Sequence, residues 1–190
     1  EKVSAGLSQP ETRWANVQEA KAAAEFLGVD DWVWMDHKSG EMGYVSATEM
    51  RKQLFALIRH LKPAKLFIPD PYVHYQTDWD HQIVGRMAEE AWGYSGGGTF
   101  GPELERLGLE PYRAPEVYYY AAGRPYRPRE GGEAAARPEA VDISPLMDAK
   151  LTALAMLRTR NQQAARATRI RLEGAGRPVD ALPAFDERAI

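Results

Sequence analysis

Apolar residues recur at helical spacing in four stretches of the chain, and polar capping residues mark where the stretches begin. Ser8 is placed to cap the first stretch, and Ser46 with Glu49 forms a capping box before the second. The predicted helices cover residues 10–27, residues 46–62, a stretch from about Asp78, and a last stretch that Ser144-Pro145 opens. Their expected inner faces are Trp14, Val17, Ala20, Ala24 and Leu27 in the first, Met50, Leu54, Leu57, Ile58 and Leu61 in the second, and Leu146, Ala149, Ala153, Leu154 and Leu157 in the last.

Short apolar runs of strand type lie between these helices. Alternating helices and short strands are typical of an α/β fold with a largely parallel sheet. Polar loops at residues 36–39 and 70–81 follow two of the strands directly. Because the carboxyl ends of parallel strands meet at one edge, we expect both loops to lie side by side in a binding crevice there. The predicted strands are residues 32–35, 65–69, 116–120 and 140–143.

Composition narrows the classes of function. A net charge of −3 disfavours a nucleic-acid-binding module, and the Arg-rich residues 158–171 support one only weakly. Without cysteine there is no thiolate metal site, so any metal is expected on His, Asp or Glu. No stretch has the pattern of a membrane span or a signal peptide, which favours the cytoplasm. The sequence predicts one domain, 1–190, with an exposed Pro- and Gly-rich loop at 121–138, and leaves the oligomeric state open.

The segment 70–81 concentrates side chains that can carry chemistry, with carboxylates and imidazoles close together in sequence. His81 heads a small and apolar stripe at helical spacing, so we expect it on the inward face of the third helix. A helix N-terminus disfavours an added positive charge, which keeps an imidazole there available to a metal. Plainer roles remain open: Asp78 suits an N-cap, His81 a hydrogen-bonded core position, and His74 and Tyr75 an ordinary loop.

Two further carboxylates are candidates by position. Asp36 follows a strand end and is therefore placed to line the crevice. Asp80 stands beside His81 and is suited to orient a neighbouring imidazole or a metal-bound water.

Several motifs then follow one another in a fixed order along the chain. They are E-x-x-x-A-x-x-x-L-G in a helix, an Asp-containing loop after a strand, I-R-x-x-x-P at a helix end, and D-W-D-H. Downstream come V-Y-Y-Y, R-P, V-D-I-S-P and D-A-K. The residues are Glu19, Ala23, Leu27 and Gly28; Asp36; Ile58, Arg59 and Pro63; and 78–81, 117–120, 124–125, 141–145 and 148–150. In this order they resemble the PIG-L/LmbE-like family of zinc-dependent de-N-acetylases, in which D-W-D-H reads H-P-D-H.

The resemblance implies a Rossmann-like three-layer sandwich with a mainly parallel sheet that lacks its first strand–helix unit. It implies that His81 is a zinc ligand and that Asp80 supports the site. The family's first motif, H-P-D-D-E, supplies two more ligands and the general base, so we expect the remaining ligands of one catalytic Zn²⁺ upstream of residue 1. The chain starts with Glu rather than Met, which agrees with that expectation.

The same resemblance implies contact between Asp36 and the sugar. The family's first H-P-D-H histidine, which helps to stabilise the oxyanion, is Asp78 here, and a carboxylate cannot donate a hydrogen bond to an oxyanion. His74 or Tyr75 would then take that role. Asp78 and His74 thus join Asp80 as candidate catalytic residues, and Tyr75 joins Asp36 as a candidate for substrate binding.

Two hypotheses of function follow from the resemblance. The first is a zinc-dependent hydrolase in which metal-activated water removes an N-acetyl group from a small N-acetylglucosamine-type conjugate. The second is a catalytically inactive member of the family that binds a sugar or a partner protein. Asp78 in place of His favours the second hypothesis, and the presence of Asp36, Asp80 and His81 favours the first.

Overall fold

A computed structural model describes residues 6–72, 78–120 and 139–179, and the chain divides into two compact units. Residues 6–35 and 140–179 form the helical unit, and residues 36–72, 78–120 and 139 belong to the α/β unit. In chain order the elements are α1 (Gln9–Phe26), a 3₁₀ turn (Met42–Tyr44), α2 (Ala47–Leu61), β1 (Lys65–Pro69), α3 (Trp79–Tyr94), α4 (Pro102–Arg106), β2 (Glu116–Tyr120), a second 3₁₀ turn (Ser144–Leu146), α5 (Met147–Met156) and α6 (Arg158–Gly174).

In the helical unit, α1 packs against both α5 and α6. The predicted start of α1 is confirmed, because the Ser8 backbone N–H and hydroxyl both donate to the Glu11 carboxylate, at 2.8 and 2.6 Å. Glu19, in the middle of α1, accepts from the Thr159 backbone N–H at 2.9 Å and from its hydroxyl at 2.8 Å. Glu19 therefore caps the first turn of α6, where backbone N–H groups have no partner within the helix.

This cap also explains why the predicted inner face of α1 is wrong at Trp14 and Leu27, while Val17, Ala20 and Ala24 are half-buried. Trp14 is 58% exposed, whereas Thr12 and Ala23 are buried. Thr12, Glu19 and Ala23 are seven and four residues apart and share one stripe of the helix. The hydrogen bonds of Glu19 turn that stripe toward the neighbouring helices. The inner face expected for the last helix is likewise wrong at Leu146 and Leu154, which are exposed, and right at Ala153.

Two of the four predicted strands are absent, since residues 32–35 and 140–143 are not part of any sheet. An apolar run becomes a strand only where a neighbouring backbone completes its hydrogen bonds. The Trp34 ring instead lies 6.3 Å from that of Trp14, with the guanidinium of Arg13 5.6 Å from the Trp34 ring centre. The Asp142 carboxylate accepts from the Ser144 N–H at 2.9 Å, which forms a turn at the other segment.

In the α/β unit, β1 and β2 are confirmed and pair in parallel, with Lys65 opposite Glu116 and Pro69 opposite Tyr120. The α/β class with parallel strands is therefore confirmed. Between the strands the chain forms α3, which the sequence pattern predicted, and the short helix α4, which it did not predict. A core of Phe55, Ile58, Ala91 and Leu104 joins α2, α3 and α4.

The predicted cap of α2 is confirmed, because the Ser46 hydroxyl accepts from the Glu49 N–H at 3.3 Å. Its predicted inner face is right at Met50 and Ile58 and wrong at Leu61, which is half exposed. The side chain that the pattern missed is Arg59, which is only 1% exposed.

Arg59 donates from a buried guanidinium to the segment that connects α3 with β2. Its acceptors are all backbone carbonyls, so the segment wraps around one cation. The carbonyls belong to Ser95 (3.0 Å), Gly97 (2.9 Å), Phe100 (2.9 Å), Gly101 (3.4 Å) and Leu109 (3.4 Å).

In the described part of the chain, the helices are too short or too polar to cross a membrane.

Replacing Arg59 by Met removes every donor and keeps an apolar side chain of similar length. We expect the free energy of unfolding to fall by about 3 kcal/mol or more, because each buried carbonyl left without a donor costs about 1–3 kcal/mol. Arg106→Met, at an exposed position of α4, is the matched control and should change stability by less than about 0.5 kcal/mol. Urea unfolding followed by circular dichroism measures both, and equal losses would contradict the role of Arg59.

Gly85 of α3 sets how closely that helix approaches β1. A Cβ atom at this position would lie 2.3 Å from the Pro69 carbonyl oxygen, which is backbone and cannot move aside. Gly85→Ala should therefore cost about 1–3 kcal/mol of stability. Gly93→Ala in the same helix meets nothing within 4 Å and should gain up to about 1 kcal/mol. Thermal unfolding of the two variants compares them, and a stabilised Gly85→Ala variant would show that the close approach is not needed.

Candidate functional site at the carboxyl end of the strand pair

The first and second predicted loops meet at the head of α3, although residues 32–35 before the first loop do not form the predicted strand. Asp80, in the first turn of α3, accepts from the Gly40 N–H at 2.5 Å, the Met42 N–H at 3.2 Å and the Ser39 hydroxyl at 3.4 Å. These partners lie 38–41 residues away in sequence. One carboxylate therefore fastens the loop after residue 35 to the helix that carries His81.

Asp36 begins that loop with an exposed side chain and a left-handed backbone, φ 57°. The left-handed region strains any residue with a Cβ atom, although Asp tolerates it better than most. The next residue is fixed, since the His37 ring nitrogen Nε2 lies 3.2 Å from the Gln53 side-chain oxygen on α2. The loop therefore holds Asp36 in a backbone conformation that the residue does not prefer by itself. Such strained conformations are frequent at functional sites.

The head of α3 carries Asp78 and His81. Asp78 is the N-cap, and its carboxylate accepts from the Asp80 N–H at 3.0 Å, so this structural role is confirmed. The His81 side chain is 36% exposed, so it is only partly turned inward, while Gly85 and Ala88 on its stripe are buried. Because Gly85 sits against the end of β1, His81 lies one helical turn beyond that contact.

The described residues do not complete a metal site by themselves. His81 Nε2 and Asp78 Oδ2 are 3.9 Å apart. A tetrahedral zinc with bonds of about 2.0–2.1 Å holds two donors about 3.3 Å apart, so this pair is too wide to share an ion. Within residues 6–72, 78–120 and 139–179 there is no group of three His, Asp or Glu side chains that could hold a metal. The role of His81 as a metal ligand therefore stays a prediction.

A network that the sequence did not indicate lies where β1 and β2 end. The Glu89 carboxylate of α3 accepts from the hydroxyls of Tyr72 and Tyr119, the latter at 2.8 Å. The Tyr72 N–H donates to the buried Asp70 carboxylate at 2.8 Å, and the Asp70 N–H donates to the Tyr120 carbonyl at 2.9 Å. The sequence pattern does not indicate this network, because its residues come from α3, from β2 and from the segment that follows β1.

Burial and the hydrogen bond to Glu89 raise the pKa of the Tyr119 hydroxyl far above its usual value, and the negative charge of Glu89 adds to the effect. The hydroxyl is therefore protonated, and able to donate, throughout the neutral range.

Two candidate residues, His74 and Tyr75, lie outside the described residues, as does the exposed loop predicted at 121–138. Their roles stay predictions.

The left-handed backbone of Asp36 allows a direct test of stored strain. Asp36→Gly should raise the free energy of unfolding by about 1 kcal/mol, because glycine adopts this conformation freely. Lys62, at the end of α2 with φ 45°, is the other left-handed residue with a side chain among those described, and Lys62→Gly should gain a similar amount. Chemical denaturation measures both. A gain for Lys62→Gly with a loss for Asp36→Gly would show that the Asp36 carboxylate itself stabilises the loop.

Comparison with known proteins finds relatives of this chain. Residues 4–92 match the sequence model of the PIG-L family, described as GlcNAc-PI de-N-acetylase. The diacetylchitobiose deacetylase of Thermococcus kodakarensis is 29% identical over 148 residues, which make up 78% of this chain and 50% of that protein.

Solved structures agree with the sequence comparison. The N,N'-diacetylchitobiose deacetylase from Pyrococcus horikoshii, complexed with its inhibitor, matches 82% of this chain and 53% of its own with a TM-score of 0.67 and 29% identity. A conserved protein of Thermus thermophilus matches 80% of this chain and 60% of its own with a TM-score of 0.60, and at 23% identity it supports the fold alone. The chain spans about half the length of the deacetylases that it matches. The ordered motifs, the parallel α/β fold, the family model over residues 4–92 and the two deacetylase relatives all support a likeness to the PIG-L/LmbE-like de-N-acetylases.

Proposed function

We propose that this chain is part of a hydrolase that removes the N-acetyl group from a small N-acetylglucosamine-type conjugate. The observation that carries the proposal is the junction at Asp80, which brings the loop of Asp36 to the helix head of His81. Two of the relatives are named for deacetylation of diacetylchitobiose, a substrate of this chemical class. In the reaction, water adds to the acetyl carbonyl, the C–N bond breaks, and acetate and a free amine leave.

Each residue at the junction has a proposed task. Asp36 is exposed at the loop and has carboxylate oxygens that suit the hydroxyl groups of a sugar ring. Asp80 acts through the loop, which it holds at the distance that Asp36 needs. Asp78 caps α3, and its carboxylate lies 3.9 Å from the His81 imidazole. His74 or Tyr75 is the proposed donor to the oxyanion, because Asp78 cannot donate.

Zinc is the metal that we propose for His81. An imidazole with a carboxylate beside it is a common donor environment for zinc, and a chain without cysteine has no softer ligand to offer. Bound zinc supplies a Lewis acid and a water of lowered pKa at neutral pH. The two remaining ligands are proposed to lie in H-P-D-D-E of the full-length protein.

An inactive sugar-binding member of the family is the second candidate. Asp78 favours it, because the N-cap carboxylate occupies the place of a residue that stabilises the oxyanion in the family. In that case the site would bind an N-acetylated sugar and leave its amide intact.

His81→Ala in the full-length protein tests the metal and the reaction together. We expect bound zinc to fall from about one ion per chain to near zero, and acetate release to fall by at least about 100-fold, since loss of an outer partner alone costs 10–100-fold. His60→Ala is the matched control, because His60 is exposed on α2. Metal content by mass spectrometry and acetate release from N-acetylglucosamine conjugates are the measurements.

The outcomes separate the candidates. Zinc content unchanged by His81→Ala contradicts the ligand assignment. Binding of N-acetylated sugars by a wild-type protein that releases no acetate supports the inactive member and overturns the hydrolase.

A further inference from the structure

The Glu89 network at the ends of β1 and β2 has no part in the proposed chemistry, yet it joins the elements that carry the site. Glu89 is in the third turn of α3 and accepts one hydroxyl from the chain that leaves β1 and one from β2. We propose that Glu89 is a positioning residue for the deacetylase site: with Tyr72 and Tyr119 it locks the carboxyl ends of both strands to the helix that carries His81. This role rests on the proposed function.

The geometry of the two tyrosines makes the lock rigid. Their rings meet edge to face with centres 6.4 Å apart, and each hydroxyl takes a different oxygen of Glu89. Tyr72 is also held through its backbone by Asp70, which is itself bonded to the end of β2. Tyr72 and Tyr119 are thus held in place by other contacts. Their hydrogen bonds to Glu89 therefore position α3, and Glu89 is not needed to position the tyrosines.

α3 is a single helix with several contacts along its length, and three of them lie between its head and Glu89. Asp80 ties its head to residues 39–42, Gly85 rests against Pro69, and Glu89 ties its third turn to the strand ends. Eight residues separate Glu89 from His81, or about 12 Å of helix. Without the hydrogen bonds of Glu89, α3 loses its tie to the strand ends, and we expect the position of its head relative to them to be less closely fixed.

Electrostatics keep the network closed at neutral pH. Both tyrosines donate to one carboxylate, so both must be protonated, and the pKa of Tyr119 is raised by burial and by Glu89. The guanidinium of Arg86 lies 6.0 Å from the centre of the Tyr72 ring, which adds a cation–π contact on the same side of α3.

Glu89→Ala and Glu89→Gln in the full-length zinc-loaded protein test the proposal. Glu90→Ala is the matched control, because its carboxylate also ties α3 to another element, through Arg51 at 2.8 Å. Acetate release from an N-acetylglucosamine conjugate gives kcat and KM, mass spectrometry gives zinc content, and alkaline titration of tyrosine absorbance reports the network itself. Tyr119→Phe and Tyr120→Phe assign the titration, since burial alone raises the pKa of Tyr120.

We expect Glu89→Ala to lower kcat about tenfold with KM and zinc content little changed, because misplacement of reacting groups by a fraction of an ångström is costly. One tyrosine should then titrate closer to its ordinary pKa of about 10, and that change should be absent when Tyr119 is Phe. Glu89→Gln keeps one acceptor oxygen and should recover most of kcat. Glu90→Ala should stay within about twofold of wild type.

A shifted tyrosine titration with kcat equal to that of Glu90→Ala would show that the network is structural only, and would overturn the positioning role. An unshifted titration would show that Glu89 does not hold Tyr119, which overturns it as well. Failure of the wild-type protein to release acetate overturns the proposed function and this role with it, whereas normal wild-type turnover with an unaffected variant overturns this role alone.

Discussion

The buried guanidinium of Arg59 is the interaction on which the arrangement of the α/β unit depends. Parallel strands need a long connection, and here the chain must return from the end of α3 to place β2 beside β1. A returning segment without regular structure would leave carbonyls buried and unpaired. Arg59 supplies donors for five carbonyls between residues 95 and 109, so the segment folds around α2. An aliphatic side chain would fill the space and satisfy none of them.

This return path fixes the position of β2, and the contacts of β1 and β2 with α3 in turn position the candidate site. β2 in its observed register brings Tyr119 to Glu89, and Gly85 allows α3 to rest on the backbone of β1. Three carboxylates make further long-range connections within the two units: Glu19, Asp80 and Glu89 each accept at least two donors from residues distant in sequence. Each such carboxylate satisfies several backbone or hydroxyl donors at once, which an apolar contact cannot do.

A structural feature could be predicted from the sequence where it depends on residues that are close together in the chain. The starts of α1, α2 and α3 depend on contacts within three or four residues, so Ser8, Ser46 and Asp78 were predicted correctly. The meeting of the two loops was predicted for the wrong reason: residues 32–35 form no strand, and the Asp80 carboxylate, not a shared sheet edge, brings the loops together.

The remaining features depend on residues far apart in the chain. Glu19 meets a partner 140 residues away, and the acceptors of Arg59 are main-chain atoms that carry no sequence signature. The strand predicted at residues 32–35 failed for a similar reason: its apolar residues fit a strand, but a ladder needs a second backbone beside it. Patterns of apolar residues indicate that a segment is buried or paired, but they do not indicate which other segment it packs against or pairs with.

The number of hydrogen bonds that Asp80 already accepts limits the role it can have. A carboxylate has about four lone-pair positions, and two N–H groups and one hydroxyl already occupy three of those of Asp80. A side chain so engaged has little capacity left to accept a proton from a reacting water, whereas it is well suited to hold the loop that presents Asp36. Removing its charge would weaken the hydrogen bonds that hold Gly40 and Met42. The structural role of Asp80 is therefore to fix the distance between the loop and the helix.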